Sequence, residues 1–254
     1  MAALKYIYSF FALFMLLTPA FAQQKYTAAN IHSHNDYSRP NAFYQAFNAG
    51  AGAIEADIHL RDGKLLVAHD TLISKAPRSL VQLYLLPIMK ELKAHPRPLN
   101  LVIDLKGPYA PILTELMKEL KPLKQLIKDN NSNPLSIIIT GNRPPPTQYK
   151  NYPSYITFDD DLQLPHTPDE WKRVAQVSLN FENYSDWRGE GDLPIVEERR
   201  LKSVINAVHA AGKKIRFWAA PDNIAGWQKL MQLHADILST DKIDDLVAEL
   251  NAKR

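Results

Sequence analysis

The sequence predicts a single-domain α/β protein folded as a TIM barrel, the (β/α)8 fold. Eight short β-rich runs alternate with helical patterns over almost the whole chain. Several of these runs, such as Leu101–Ile103 and Ile137–Ile139, are continuously apolar, as expected for parallel strands buried on both faces. A length of 254 residues and a hydrophobic fraction of 46% suit one barrel with a full core.

The predicted strands and helices follow one another in the order that a barrel requires. The strands are Ala29–His34, Ala53–His59, Asn100–Asp104, Ser136–Thr140, Tyr155–Phe158, Gln176–Asn180, Lys214–Ala219 and Asp236–Thr240. The helices are Ala42–Ala49, Ser79–Ala94, Ile112–Asn130, Trp171–Ala175, Val196–Ala211 and Ile224–His234. Gly212 is typical of the position after a helix, and Asp222 is suited to cap the last predicted helix.

One segment departs from this alternation, directly after the second strand. The residues Arg61-Asp62-Gly63-Lys64 are typical of a hairpin turn, and Leu65–Ala68 then predicts a short additional strand. We therefore expect a small hairpin insertion after strand 2. The proline-rich stretches Pro144–Pro146 and Pro165–Pro168 are interpreted as loops that follow strands.

Residues 1–22 have the layout of a secretory signal peptide. Lys5 precedes the apolar run Ile7–Leu17, and Ala20-Phe21-Ala22 is a typical cleavage sequence. The run is shorter than the roughly twenty residues that span a bilayer, which argues against the alternative of an uncleaved anchor. We expect residues 23–254 to form one exported barrel, periplasmic or secreted, with no transmembrane segment in the mature chain.

The composition excludes several classes of function. The 30 basic and 27 acidic side chains leave a net charge of +3 without a basic stripe, so a nucleic-acid partner is not expected. The chain has no cysteine, which excludes thiol nucleophiles and thiolate metal sites. Any metal ion must therefore be bound by oxygen or imidazole ligands.

Ionisable side chains are concentrated at the ends of the first predicted strands, where TIM barrels carry their active sites. They are, in chain order, His32 and His34, Glu55 and Asp57, His69 and Asp70, and Asp104 and Lys106. Residues two apart on a strand point to the same face, so the members of three of these pairs project together: His32 and His34, Glu55 and Asp57, and Asp104 and Lys106.

The three carboxylates Glu55, Asp57 and Asp104 would repel one another strongly in one barrel mouth unless a cation lay among them. Oxygen ligands of this kind favour a hard divalent cation, Mg²⁺ or Ca²⁺. The neighbouring histidines are then free to act as acid and base, because imidazole exchanges protons near neutral pH.

The order of these residues resembles the PI-PLC-like phosphodiesterase superfamily, which includes glycerophosphodiester phosphodiesterases and sphingomyelinase D enzymes. The motifs that carry the resemblance are His34, Glu55-Ala56-Asp57, His69-Asp70 and Asp104-Leu105-Lys106. The string His-Ser-His-Asn-Asp-Tyr at residues 32–37 is most similar to the altered inheritance of mitochondria protein 6 branch. Beyond Lys106 the resemblance is looser, and Arg216-Phe217-Trp218-Ala219 is similar to the aromatic substrate-side strand of the superfamily.

The resemblance implies a metal-dependent phosphoric diester hydrolase with a glycerophosphodiester- or phospholipid-type substrate. It implies one divalent cation, Mg²⁺ or Ca²⁺, and acid–base catalysis by two histidines. The implied site residues are Glu55, Asp57 and Asp104 for the metal, His34 and His69 for catalysis, and Lys106, Trp218 and His32 for substrate contact. The expected partner is a small-molecule or lipid phosphodiester, and we expect a monomer.

Two positions depart from the pattern of glycerophosphodiesterases. Those enzymes have an arginine after the first histidine, where this chain has Asn35, and a Glu-Asn-Thr element where it has Pro40-Asn41-Ala42. A phosphate-binding arginine and one ligand glutamate are therefore missing. These differences favour the ligand pattern of sphingomyelinase D and leave the head group of the substrate open.

Two other classes of protein remain alternatives. The pair His32 and His34 is also typical of zinc-binding amidohydrolases and PHP-type phosphoesterases, but these need later histidines, and Asp159-Asp160-Asp161 and Glu182 follow the fifth and sixth strands instead. A ligand-binding barrel without catalytic activity is the second alternative. We expect a structural role for the loop at Asn142 and Arg143, and Glu182 and Asp241 have no predicted role.

Overall fold

The computed structural model describes residues 25–69, 78–127 and 133–252. The predicted signal peptide, residues 1–22, and the predicted site residue Asp70 lie outside the described residues. Within them, the strands are β1 (Ile31–Ser33), β2 (Ala53–Arg61), β3 (Lys64–Val67), β4 (Arg78–Ser79), β5 (Leu99–Leu105), β6 (Leu135–Gly141), β7 (Ile156–Asp160), β8 (Val174–Asn180), β9 (Ile215–Trp218) and β10 (Leu238–Thr240). The α-helices are α1 (Tyr44–Asn48), α2 (Leu86–Ala94), α3 (Tyr109–Glu119), α4 (Pro168–Lys172), α5 (Ile195–Ala210), α6 (Ile224–Gln232) and α7 (Ile243–Ala252).

Eight of the strands form one parallel sheet in the order β10-β1-β2-β5-β6-β7-β8-β9. Each strand pairs in parallel with its neighbour in this order. A parallel bridge between Arg216 of β9 and Ile237, next to β10, links the two ends of the sheet. The prediction of an α/β fold built on eight parallel strands is therefore confirmed.

The apolar strands are buried on both faces, as their sequence predicts. Val102 of β5 and Ile138 of β6 are register partners and pack with Ala53 of β2 in a small cluster on one face. The alternate residues of these strands join the large core between the sheet and the helices. The face that carries Ala53 also carries Glu55 and Asp57, because side chains two apart on a strand point the same way.

The turn after β2 has the backbone that the sequence predicts. Asp62 and Gly63 both have a left-handed φ, of 50° and 71°, which is the conformation of a tight hairpin turn. β3 then runs antiparallel to β2, with Val67 opposite Ile58, and also pairs with β4. This hairpin carries the chain back to His69, beside the carboxyl ends of the parallel strands.

Several helices differ from their predicted bounds, and two of the differences have clear local reasons. α3 ends at Glu119 rather than at residue 130, and a 3-10 turn at Lys121–Leu123 follows. Pro122 lies in that turn and lacks the N–H that a continuing helix needs. The predicted helix Trp171–Ala175 is wrong, because α4 begins earlier, at a capping box formed by Thr167 and Glu170.

In the last third of the chain, the predicted cap of α6 is wrong and one helix, α7, was not predicted. The side chain of Asn223, not of Asp222, caps α6 by accepting a hydrogen bond from the N–H of Gly226 at 2.9 Å. The carboxylate of Asp222 instead accepts from Trp227 Nε1 at 2.9 Å. The sequence interpretation did not include α7, which follows β10. Within the described residues, no helix has both the length and the apolar character needed to cross a bilayer.

Candidate active site

A cavity of about 680 Å³ opens at the carboxyl ends of the parallel strands. Its lining includes His34, Glu55, His69, Lys106 and Trp218. These residues come from widely separated parts of the chain, and the parallel strands bring them to one end of the sheet. This is the end at which TIM barrels place their catalytic groups.

Three carboxylates form a compact cluster beside the cavity. Glu55 and Asp57 project from β2, and Asp57 is the register partner of Asp104 on β5. One ligand oxygen from each of the three side chains lies within 4.8 Å of the others. Glu55 and Asp57 are 3% and 1% exposed, so the charges are concentrated where little water can screen them.

Lys106 and Tyr37 hold the aspartates of this cluster. Lys106 Nζ lies 3.1 Å from Asp57 Oδ2 and 2.8 Å from Asp104 Oδ2. The hydroxyl of Tyr37 lies 2.9 Å from Asp57 Oδ2. Burial, followed by the charges of Glu55 and Asp104, nevertheless raises the pKa of Asp57. The negative charge of the cluster is therefore only partly compensated by the protein.

Glu55 is held by a different pair of residues, His32 and Arg216. His32 Nε2 makes a short hydrogen bond with Glu55 Oε2, and Arg216 Nη2 lies 3.3 Å from the same oxygen. Burial raises the pKa of Glu55, but Arg216 and then His32 outweigh it, so the pKa lies below its ordinary value. Burial, with a smaller effect of Arg216, lowers the pKa of His32 to about 4, so its imidazole is neutral at pH 7.

His32 does not occupy the position that substrate contact requires. Its side chain is fully buried and is not part of the cavity lining, whereas His34 is. The burial of His32 does not favour the predicted substrate-binding role, and its observed side-chain partner is Glu55.

His34 forms a pair with Asp241, which follows β10. His34 Nδ1 lies 2.8 Å from Asp241 Oδ1, and Asn35 Nδ2 donates to Asp241 Oδ2 at 3.1 Å. Burial lowers the pKa of His34, but the hydrogen bond to Asp241 and nearby negative charges outweigh it, so the pKa is raised. The hydrogen bond from His34 is also the main reason why the pKa of Asp241 is lowered. The sequence interpretation missed this role of Asp241, whose only signal was its position after the last strand.

His69 lies at the rim of the cavity. It is exposed, it lines the cavity, and its backbone carbonyl lies 3.4 Å from His59 Nε2. Trp218, at the end of β9, is 46% exposed and also lines the cavity. The structure therefore places both residues where a ligand in the cavity would meet them.

The cavity lining also includes charged residues from β7 and from the loop after β6. Arg143 Nη2 lies 2.9 Å from Asp161 Oδ1 and 3.8 Å from Asp160 Oδ2. Asp159, on β7, is 2% exposed, and burial is the main reason why its pKa rises to about 6. Arg143, in the loop after β6, is thus engaged in ion pairs with the end of β7. Asp159 is a buried acid with a pKa of about 6.

The raised pKa of Asp159 has a measurable effect on stability. An acid whose pKa is higher in the folded state binds protons more readily there, so the free energy of unfolding falls as the pH rises. For a rise from 3.8 to about 6, the loss is about 3 kcal/mol and develops between pH 4 and pH 7. Asp159→Asn should remove this loss of stability. At pH 8 the variant should therefore unfold at a higher urea concentration than the wild type, and at pH 4 the two proteins should unfold at similar urea concentrations.

The control for this experiment is Asp62→Asn, which removes the same charge from a turn residue whose side chain is 93% exposed. Its difference from the wild type should stay within about 0.5 kcal/mol at both pH values. A difference between Asp159→Asn and the wild type that does not change with pH would contradict the assignment.

The fold is shared with a known class of phosphodiesterases. The crystal structure of a glycerophosphodiester phosphodiesterase from Parabacteroides distasonis superposes with a TM-score of 0.59 at 16% sequence identity, covering 88% of this chain and 97% of that one. At this identity the similarity concerns the fold. The chain therefore shares the α/β barrel-type fold of that structure.

Comparison with related sequences identifies the family to which the chain belongs. An AIM6-like phosphodiesterase domain matches residues 22–98. Altered inheritance of mitochondria protein 6 from Kluyveromyces lactis is 31% identical, with 85% of this chain and 71% of the relative covered. The homolog from Arthroderma benhamiae is 27% identical, with 78% of this chain and 73% of the relative covered. The chain belongs to the altered inheritance of mitochondria protein 6 family, which confirms the resemblance inferred from its motifs.

The relatives contradict the predicted location of the protein. They are fungal proteins named for altered inheritance of mitochondria, so the prediction of a periplasmic or secreted protein is wrong. That prediction rests only on residues 1–22. A short apolar run after one lysine does not by itself determine where a protein is located.

Proposed function

We propose that the chain is a phosphoric diester hydrolase that requires one divalent cation. The observation that carries this proposal is the cluster of Glu55, Asp57 and the partly buried Asp104, which lies with Lys106 and His34 at one cavity. Family membership and the shared fold support a phosphodiesterase of this type. The substrate is a glycerophosphodiester- or phospholipid-type diester.

The residues of the cluster fit a hard divalent cation. All three side chains offer oxygen atoms within 4.8 Å of one another, which suits Mg²⁺ or Ca²⁺. The raised pKa of Asp57 shows that burial and the like charges of Glu55 and Asp104 outweigh Lys106 and Tyr37. Glu55, Asp57 and Asp104 would therefore hold the cation.

Lys106 is suited to bind the phosphate group of the substrate. An ammonium group has three N–H donors, and Asp57 and Asp104 use two of them. The third donor remains for a non-bridging phosphate oxygen. The two aspartates outweigh burial and raise the pKa of Lys106, so the side chain stays charged over the whole physiological pH range.

His34 is suited to transfer a proton. Its Nδ1–H donates to Asp241, which leaves Nε2 as the atom that accepts or donates a proton. His69, at the rim of the same cavity, is the second proton-transfer group. One histidine would take the proton from the attacking water or substrate hydroxyl, and the other would give a proton to the leaving alcohol oxygen as its bond to phosphorus breaks.

The charge that develops on the phosphate oxygens must be stabilised as the new P–O bond forms. A bound divalent cation supplies Lewis-acid stabilisation of this charge. If a hydroxyl group of the substrate attacks first, the product is a cyclic phosphate. Lys106 would hold the same oxygen atoms in either case.

The test is a hydrolysis assay with purified protein. Bis-p-nitrophenyl phosphate, glycerophosphodiesters and lysophospholipids should be hydrolysed in the presence of Mg²⁺ or Ca²⁺ and not in EDTA, and added cation should restore the rate. Cation binding without hydrolysis of any of these diesters would instead support a non-catalytic ligand-binding barrel. Restoration by zinc alone would favour the amidohydrolase- or PHP-type alternative.

A glycine at the end of β6 provides a further prediction about the cluster. Gly141 has a φ of +69°, and a Cβ atom there would lie 2.0 Å from Asp104 Oδ1 and 2.9 Å from the carbonyl oxygen of Leu105. Gly141→Ala should therefore displace the Asp104 carboxylate and weaken cation binding at least tenfold, measured by isothermal titration calorimetry.

Gly63→Ala is the matched control for this variant. Gly63 has a similar φ of +71°, but a Cβ atom there would meet no other described atom within 4 Å. Gly63→Ala should lose about 1–2 kcal/mol of stability to the left-handed backbone, and Gly141→Ala should lose more because of the overlap. Only Gly141→Ala should lose cation affinity. Equal cation affinities in the two variants would mean that Asp104 is not a ligand.

A further inference from the structure

We propose that His32 is a positioning residue that holds Glu55 in the orientation needed to bind the cation, and that it contacts neither the cation nor the substrate. The proposal rests on the proposed function in one respect, since it takes Glu55 to be a cation ligand. It goes further by giving a role to a buried histidine that the mechanism does not use.

The contact between the two side chains is enclosed by the protein. His32 is 0% exposed and Glu55 is 3% exposed. Glu55 reaches the cavity, whereas His32 lies behind it and is not part of the lining. A substrate in the cavity would therefore meet Glu55 and not the imidazole.

One oxygen of Glu55 is held by two side chains of the protein, through a hydrogen bond with His32 and an ion pair with Arg216. His32 Nε2 and Arg216 Nη2 both contact Oε2. A carboxylate oxygen can only accept, so the Nε2 atom of His32 must carry the hydrogen and donate it. The other oxygen, Oε1, is then the atom that we assign to the cation.

The other two carboxylates of the cluster do not depend on His32. Lys106 contacts both Asp57 and Asp104, and Tyr37 also contacts Asp57. Glu55 has a longer side chain with one more rotatable bond, so it needs its own partners to be held before a cation arrives. Hydrogen bonds to the ligands of a metal site orient them in this way, and their loss typically costs 10–100-fold in affinity.

The remaining nitrogen of His32 agrees with this role. Nδ1 is buried and has no hydrogen-bond partner in the described part of the chain. If Nδ1 carried a hydrogen, this buried N–H group would have no acceptor among the described residues. A hydrogen on Nε2 alone therefore agrees with the surroundings of the imidazole. With Nε2 occupied by Glu55 and Nδ1 enclosed, His32 offers no atom to a cation in the cavity.

The test compares two substitutions at His32 by calorimetric titration with MgCl₂, CaCl₂ and MnCl₂ in the absence of substrate. His32→Leu removes the donor without changing the net charge at pH 7 and should weaken cation binding by about 10–100-fold. His32→Gln places an amide N–H near the position of Nε2 and should bind within about threefold of the wild type.

His209→Leu is the matched control, because His209 also pairs with a carboxylate, Asp236 Oδ2 at 2.8 Å, but lies outside the cavity lining. It should leave cation affinity unchanged. If His32→Leu is folded and binds the cations as tightly as the wild type, the proposal is overturned. A merely structural role would lower the melting temperature of His32→Leu without a change in cation affinity, and this result would also overturn it.

A second measurement does not depend on the folding of His32→Leu. The ¹⁵N NMR spectrum of the imidazole groups in the wild type should show a hydrogen on Nε2 of His32, and an Nε2 atom without hydrogen would overturn the proposal. A protein that binds cations through this arrangement but hydrolyses no diester would contradict the proposed function and leave the role of His32 intact. A wild-type protein that binds no divalent cation would overturn both.

Discussion

His34→Ala should lower kcat for a phosphodiester substrate by about 10²–10⁴-fold, the usual contribution of a general acid or base. The proposed cation ligands Glu55, Asp57 and Asp104 are unchanged in this variant, so cation affinity should stay close to that of the wild type. Initial rates at saturating Mg²⁺ or Ca²⁺, together with calorimetric titration, would separate the two effects. His209→Ala removes a similar histidine–carboxylate pair outside the cavity lining and should hydrolyse the substrate at the wild-type rate.

The pair of His34 with Asp241 adds a prediction about pH. The hydrogen bond to Asp241 helps to raise the pKa of His34, so Asp241→Asn should lower that pKa. The limb of the kcat/KM profile that reports His34 should move to lower pH, whether His34 acts as the base or as the acid. A profile that stays in place, with Asp241→Asn folded and His34→Ala inactive, would show that Asp241 does not set the protonation of His34.

Asp57→Asn should change stability and cation binding in opposite directions. Burial and the charges of Glu55 and Asp104 raise the pKa of Asp57, so its ionised form is disfavoured in the folded protein. The neutral asparagine removes that cost, and the variant should be at least as stable as the wild type in EDTA at pH 7. Loss of a residue that only hydrogen-bonds to a metal ligand typically lowers metal affinity by roughly 10–100-fold. Asp57→Asn should lower cation affinity by more than this, because it alters a proposed ligand itself.

Thermal unfolding with and without cation tests this prediction. At a cation concentration of 100 times Kd, the wild type should gain about 2.7 kcal/mol, and Asp57→Asn should gain little, so the order of stabilities should reverse on adding cation. Asp62→Asn, at an exposed turn on the same hairpin, controls for the change in net charge and should respond to the cation as the wild type does. An equal gain in Asp57→Asn and the wild type would remove Asp57 from the set of ligands.

Much of the carboxylate cluster could be predicted from local sequence. Glu55 and Asp57 are two residues apart on a strand, and this spacing alone places both side chains on one face. The alternation of apolar runs with helical patterns predicts the parallel sheet, and the order of that sheet brings Asp104 opposite Asp57. The hairpin turn at Asp62-Gly63 is equally local, because its left-handed backbone depends on those two residue types.

Other parts of the site are contacts between residues that lie far apart in the sequence, and no local sequence pattern predicts these contacts. Asp241 meets His34 because β10 pairs with β1, and Arg216 reaches Glu55 across the sheet from β9. The buried acid Asp159 is recognisable only once burial is known, because its side chain alone does not differ from that of an exposed aspartate.

The sequence by itself determined the class of fold, the family and the residue types of the candidate site, because periodicity and short motifs are properties of neighbouring residues. Tertiary structure decided which of these residues act together. In the structure His32, which the sequence predicts to contact substrate, is buried and bonded to Glu55. His34, two residues away, lines the cavity instead. The physical reason is that burial and the field of distant charges set the protonation and accessibility of each group, and both arise only when the sheet is assembled.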